Sequence, residues 1–311
     1  MRILFFGTSV FAVPSLERLV AEGYPPLVCM TTPERPQGRG LKSLPSPIKR
    51  AALQHGLPVE EPVDLRAVAA TYRDTPPDVG VVISYGRLIP KELLGCSRQG
   101  MLGLHPSLLP KYRGANPIAW PILEGATTTG VTIFRLNDRM DAGEIACQEA
   151  IAIEPRDTTD TLSQRLAQQG AGLLVEALRR LERGTLALHP QDEQVATTTE
   201  KFTKAQGRID WRASAVAIDR LVRAATPWPG ASTTWHHVVL KIWHAIPGPR
   251  ATGSTAHPGD VVAVSAEGVQ VATGDGTLLI RELQPAGKRR MAAAEFLAGH
   301  RLGAGERLGD A

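Results

Sequence analysis

The chain has 311 residues, 43% of them hydrophobic and 21% charged, with a formal net charge of +4. This is the balance of an ordinary soluble globular protein, with length for two domains and a sizeable core. The three cysteines, Cys29, Cys96 and Cys147, are far apart and odd in number, which fits a reducing compartment better than a disulfide framework.

The opening MRILFFGTS has one basic residue and an apolar run that already reaches Gly7, too short for a secretory signal. No stretch approaches the roughly 20 apolar residues of a membrane span, so the expected location is the cytoplasm. RILFFG and PLVCMTT are expected strands. Between them Phe11, Val13, Leu16, Leu19 and Val20 recur at helical spacing until Gly23 stops the helix. The pattern continues with a helix over 48–54, a short strand at LPVEEP, and strands at DVGVVISYG and MLGLH. Strands alternating with helices, several of them apolar throughout, predict a mainly parallel sheet covered on both faces.

VTIFRLN and IACQEAIAI read as added strands, and residues 158–183 as a long amphipathic helix with Leu162, Leu166, Leu173, Leu174, Leu178 and Leu181 on one side. The polar, aperiodic stretch HPQDEQVATTTEKFTKAQ is the expected linker. After a helix near 213–225 come brief strands, TTWHHVVLKIWHA, DVVAVSAEGVQVAT and TLLIREL, punctuated by Gly268 and the Gly274-Asp275-Gly276 turn. They predict a small antiparallel barrel or sandwich. The expected division is therefore 1–188, a linker over 189–206, and 207–311.

Between Glu34 and Arg50 the basic residues Arg35, Arg39, Lys42, Lys49 and Arg50 face one acid, which places +4 on this segment alone. Residues 207–311 carry a further +3, so the region between is net acidic.

Several motifs lead nowhere. FGTSVFAVPS offers one glycine where a dinucleotide fold shows G-x-G-x-x-G, which excludes NAD binding. Ser46-Pro-Ile-Lys49 matches the S-x-x-K of serine acyl enzymes, but the partner motifs S-D-N and K-T-G are missing. His236, His237 and His244 lack Cys or carboxylate at zinc-like spacing, and His236 and His237 are expected on opposite faces of a strand, so no metal site is expected.

His105 differs, because GLHPSLLPKYRG places it at the carboxyl end of an expected strand, where open α/β sheets form their ligand crevices. The carboxylate-rich turn NDRMDAGE, with Gly143 between two strands, could hold Asp141 against the imidazole. Such a pair can carry a proton between nucleophile and leaving group near neutral pH.

HPSLLPKYRG together with GVTIFRLNDRMDAGEI resembles the signature of the formyltransferases that use 10-formyltetrahydrofolate. FGTSVFAVPSLERL, TTPERPQGRGLKSLPSPIKRAALQHGLPV, VVISYGRLIP, GRIDW, RAATPWPGA and LLIRELQPAGKRRM are similar to those acting on methionyl-tRNA. The resemblance implies a Rossmann-like formyltransferase domain with a mainly parallel sheet, followed by a small OB-like β-barrel that helps bind tRNA. It implies formyl transfer to initiator methionyl-tRNA for translation initiation, with 10-formyltetrahydrofolate as co-substrate, no tightly bound cofactor and no metal.

In that family an Asn, a His and an Asp polarise the formyl carbonyl and manage the proton of the attacking amine. His105 and Asp141 fall on the His and the Asp, whereas Gly103 stands where the family has Asn. Ser107, Leu108, Leu109 and Pro110, with Ile83, Tyr85, Gly86 and Asp138, resemble the folate-framing segments. Arg35, Arg39, Lys42, Lys49 and Arg50 fall in the loop that grips the tRNA acceptor end. A monomer is expected, with no DNA or membrane partner.

Two other readings stay open: a sugar-nucleotide N-formyltransferase, and an impaired homologue that binds tRNA or folate without turnover. Gly103 could serve the strand-to-loop turn, or Asn116 or a water could replace the amide, and the sequence leaves these alternatives open. Gly103→Asn is then expected to speed an otherwise intact site.

Overall fold

Ile3, Leu4, Phe5 and Phe6 have no exposed surface in β1 (Ile3–Gly7). A strand covered on both faces carries no polar alternation, and RILFFG is accordingly a continuous apolar run. The computed structural model describes residues 1–34, 36–37, 42–249 and 255–309. After β1 the chain forms α1 (Val13–Ala21), β2 (Val28–Met30), the two-residue strands β3 (Pro36–Gln37) and β4 (Lys42–Ser43), α2 (Pro47–Gln54) and β5 (Val59–Glu60). Then come α3 (Leu65–Thr71), β6 (Val79–Ile83), α4 (Lys91–Leu94), β7 (Met101–His105), β8 (Arg113–Gly114), α5 (Ala119–Glu124), β9 (Thr128–Arg135), β10 (Ile145–Ala152), α6 (Thr159–Glu182) and β11 (Thr198–Thr199).

Seven of these strands form one sheet in the order β10-β9-β7-β6-β1-β2-β5. The pairs β1–β2, β1–β6, β2–β5 and β6–β7 are parallel, and β9 runs antiparallel to both β7 and β10. From β1 the chain builds outward first through β2 and β5, then reverses to add β6 and β7 on the other side. That reversal is the switch point at which the carboxyl ends of open α/β sheets leave a crevice. Hydroxyls tie its two rims: Thr8 Oγ1 donates to the Tyr85 carbonyl at 2.8 Å, and Ser9 Oγ to Ser84 Oγ at 2.8 Å. Ser46 Oγ accepts from Lys49 N at 3.0 Å and caps α2, so the S-x-x-K match is a helix N-terminus.

The chain divides into two compact units, one of residues 1–117, 128–152 and 163–199, the other of residues 118–127, 153–162 and 200–311. The stretch read as a linker is hydrogen-bonded within the first unit as far as residue 199. His189 and Ile145 exchange backbone bonds at 2.8 and 2.9 Å, and β11 pairs in parallel with β8. It is polar because backbone and side-chain hydrogen bonds hold it in place of an apolar face.

In the second unit α5 packs on α7 (Ala215–Ala224), and Trp120 meets Phe202 edge-on. Its strands are β12 (Ala231–Trp235), β13 (Val238–Gly248), β14 (Val261–Ser265), β15 (Gly268–Ala272), β16 (Thr277–Pro285) and β17 (Met291–Ala292), before α8 (Ala293–Gly299). They form an antiparallel OB-like sheet in the order β12-β13-β16-β15-β14, with β17 on β16. No helix among the described residues is long and apolar enough to cross a membrane.

One expectation is corrected here. His236 and His237 do not lie on opposite faces of a strand; they are the two residues between β12 and β13, at φ +47° and +61°. Positive φ at both positions is the pattern of the tight hairpin turn whose twist matches its strands, and TTWHHVVL carries no glycine to announce it. A left-handed L-residue other than Gly, Asn or Asp costs about 1 kcal/mol. His237→Gly is therefore expected to stabilise this sheet by up to about 1 kcal/mol, read as a higher urea midpoint of its unfolding, and an unchanged or lower midpoint would contradict the turn assignment.

Candidate active site

His105 is the last residue of β7 and is 7% exposed. Its Nε2 lies 2.8 Å from the Tyr112 carbonyl oxygen, which can only accept, so this nitrogen carries a proton and donates it. Its Nδ1 faces Asp141 Oδ2 at 3.6 Å, beyond hydrogen-bond length but close enough for charge to be felt. The same carboxylate oxygen accepts the Gly114 N–H at 2.8 Å. Asp141 sits at φ +50° on the loop between β9 and β10. Two residues on, a Cβ at Gly143 would stand 1.7 Å from the Arg135 carbonyl oxygen, so the loop can close this tightly only with glycine there.

The Ser107–Pro110 turn is held from below by residues the sequence did not single out. Buried Thr132 donates its hydroxyl to the Ser107 carbonyl at 2.6 Å and accepts the Leu109 N–H at 3.1 Å. Gln148 Nε2 donates to the Leu109 carbonyl and to Thr132 Oγ1, both at 2.8 Å, and Ser107 Oγ donates to the Lys111 carbonyl at 2.6 Å. Leu108 packs over Gly130. Thr132 lies within GVTIFRLNDRMDAGEI and Gln148 just beyond it, but inside an alternating strand a polar residue reads as solvent-facing, so neither announces this role.

The other expected site residues are placed differently from one another. Ile83 and Tyr85 are buried, Tyr85 edge-on to Phe6 at 5.5 Å with its phenol pushed up by burial; Gly86 follows at φ +81°. Asp138 is exposed and pairs with Lys91 Nζ at 3.2 Å. Lys49 is bridged by Glu34 at 2.8 Å and Glu61 at 2.6 Å, and their hydrogen bonds push its ammonium up from the ordinary value. Arg50 is exposed. Arg35, Arg39 and the side chain of Lys42 lie outside the described residues. Burial pushes the Cys29 thiol up to about 12 and that of Cys147 up to about 11, so neither is a nucleophile near neutral pH.

At Gly103 the turn alternative is corrected. The glycine stands in mid-strand, in register with Val82 on β6 and Phe134 on β9, without the positive φ of a turn glycine. An added Cβ would lie 2.6 Å from Phe134 Cε1 and 2.7 Å from Leu136 Cδ1. Residues two apart share a strand face, so a phenyl ring and a leucine fill the His105 side of β7 where a polar side chain would otherwise project. Gly103→Asn thus requires both to move, and cannot be a simple restoration.

The sequence matches a formyl transferase family model over residues 1–178 and a formyl transferase C-terminal domain model over residues 201–301. It is 45% identical to the methionyl-tRNA formyltransferase of Methylococcus capsulatus, over 99% of this chain and 100% of that one. With the enzyme of the same name from Chloroflexus aggregans it shares 46% identity over 96% of this chain and 97% of the other. The chain belongs to the methionyl-tRNA formyltransferase family.

Among solved structures, this formyltransferase resembles the Helicobacter canadensis N-formyltransferase determined with folinic acid and dTDP-3-aminofucose. The TM-score is 0.69 at 18% identity, over 90% of this chain and 98% of that one. HypX of Aquifex aeolicus with tetrahydrofolic acid gives a TM-score of 0.66 at 22% identity, over 96% of this chain and 47% of its own length. At such identities both likenesses establish the fold alone.

The packing at Gly103 has a direct test. Gly103→Ala in this formyltransferase is expected to lose about 1–3 kcal/mol through overpacking, measured by urea unfolding, and to recover part of it when combined with Phe134→Leu. Equal losses with and without the second change would mean that the ring is not the obstacle.

Proposed function

We propose that this protein transfers the formyl group of 10-formyltetrahydrofolate to the α-amino group of methionine on initiator methionyl-tRNA, with the folate as co-substrate and no tightly bound cofactor. One observation carries the reading: a chain about 45% identical from end to end to an enzyme of that name places a histidine and a carboxylate together at the carboxyl end of a sheet strand. His105 and Asp141 are the assigned catalytic pair.

The attacking amine forms a bond to the formyl carbon, the carbonyl electrons move onto oxygen, and collapse breaks the bond to N10 of the folate, which leaves with a proton. Nε2 of His105 is engaged by the Tyr112 carbonyl, so Nδ1 is the nitrogen that accepts the proton of the amine and returns one to N10. Asp141 Oδ2, fixed by the Gly114 N–H, balances the charge while the ring carries both protons. The rigid Ser107–Pro110 turn and the Ile83–Gly86 segment frame the folate, and positioning of this kind contributes much of the rate in a group transfer. Phe134 and Leu136 make the wall beside Gly103 apolar, so position 103 supplies no donor to the oxyanion, and that role is assigned to His105.

Arg35, Arg39, Lys42 and Arg50 are assigned to the acceptor end of the tRNA, and residues 207–311 to its body. Lys49, held by two carboxylates, contributes less. The protein is taken to act as a monomer in the cytoplasm, where its unpaired cysteines stay reduced.

Replacing the imidazole tests the pair. His105→Ala is expected to cut turnover by roughly 100-fold to 10,000-fold while methionyl-tRNA still binds, as measured by transfer of labelled formyl; full activity in a folded variant would refute the assignment. Should the wild-type protein formylate an amino-sugar nucleotide and not methionyl-tRNA, the substrate is wrong. For the basic loop, Arg39→Ala or Lys42→Ala is expected to lower the salt slope of tRNA binding by roughly one unit on duplex and slightly less on single strands, with folate affinity unchanged by calorimetry.

A further inference from the structure

The side-chain amide of Gln191 has every hydrogen-bonding position engaged beside the pair, and none of its partners is a reacting group. Its Nε2 donates to the Asp141 carbonyl at 2.8 Å and to the Gly143 carbonyl at 2.7 Å, which are the two ends of the turn that presents the Asp141 carboxylate. Its Oε1 accepts from Arg113 Nε at 3.0 Å and Nη2 at 2.8 Å. Arg113 is itself 6% exposed and reaches Glu193 through Nη1 at 2.9 Å, and the guanidinium holds that carboxyl below its ordinary range.

The same segment grips the other side of the pair. Thr197 Oγ1 accepts the Tyr112 N–H at 2.8 Å, its own N–H reaches the Pro110 carbonyl at 3.2 Å, and its carbonyl takes the Arg113 N–H at 2.9 Å. Tyr112 is the residue whose carbonyl receives the His105 Nε2 proton. Residues 189–199 therefore hold Asp141 through Gln191 and His105 through Tyr112, while the ends of the segment are fastened to Ile145 and to β8.

We propose that Gln191 is a positioning residue that sets the separation of Asp141 from His105 by clamping the Asp141–Gly143 turn to Arg113. The proposal deepens the reading of this site as a formyl-transfer centre and rests on it for its kinetic arm alone. Only an amide satisfies the clamp, because the turn presents two acceptors and Arg113 presents two donors. A carboxylate at this position keeps Arg113 but turns its oxygens on two carbonyls; a methionine keeps the length and loses all four bonds.

The experiment compares Gln191→Glu and Gln191→Met with the parent full-length protein. A positioning role predicts that both lower kcat by roughly 10-fold to 100-fold, the scale of a lost outer-layer contact or a misplacement of about 1 Å. KM for the folate and for methionyl-tRNA should stay within about threefold. In a His105→Gln background the same changes should have little further effect on turnover, because the separation they disturb no longer matters. With no substrate present, the ring ¹⁵N resonances of His105 at fixed pH should move in both variants.

Unchanged kcat, or a kcat loss that is just as large without His105, would overturn the proposal, as would unmoved His105 resonances in variants that fold. If one variant fails to fold, the other reads the same quantities. The resonance arm needs no substrate, so moved His105 signals in a protein that proves inactive on methionyl-tRNA would keep the clamp and overturn the function assigned above instead.

Discussion

A buried imidazole has two polar edges, and both must be met before the strand that carries it can close. His105 is hydrogen-bonded to a backbone carbonyl on one side and faces a carboxylate 3.6 Å away on the other. Neither partner comes from an adjacent residue: Tyr112 lies beyond the Ser107–Pro110 turn, and Asp141 on the loop after β9. Both stand at left-handed φ, +60° and +50°, a conformation that Asp tolerates and that Tyr112 adopts only where its surroundings hold it. Thr197 bonds the Tyr112 backbone and Gln191 that of Asp141, while Thr132 and Gln148 hold the Ser107–Pro110 turn between the ring and Tyr112.

The apolar side of the ring follows from the same packing. β7 lies between β6 and β9, so any side chain at position 103 must share space with the residue opposite it on β9, which is Phe134. Glycine and phenylalanine fit as a pair; a longer side chain and phenylalanine do not. The departure at Gly103 is thus two-sided, and a substitution on β7 is coupled to one on β9.

The sheet was legible because buried parallel strands write themselves as apolar runs, and RILFFG, DVGVVISYG and MLGLH all lie where the strands do. The carboxylate turn was legible too, since Gly143 and the charges around it mark a tight loop. Less visible were the supports. Gln191 sits in a polar stretch with no period, and its importance lies in four hydrogen bonds to residues 48 to 78 positions away. The hairpin at His236-His237 was missed because left-handed turns are recognised by Gly, Asn or Asp, and here two histidines take the conformation. Gly103 stands out in the sequence, but its cause is not legible there, because nothing in one strand's sequence reveals which side chain faces it from the next.

The chain passes between its two compact units five times, since residues 118–127 and 153–162 belong with residues 200–311. During synthesis α5 leaves the ribosome about a hundred residues before α7, the helix it packs against. The nascent first unit must fold while two segments of its chain still lack their partners, with Ala119 and Ile122, buried in the end, left in waiting. A gene cut at residue 206 would strand those segments for good, so neither half is separable by a single scission.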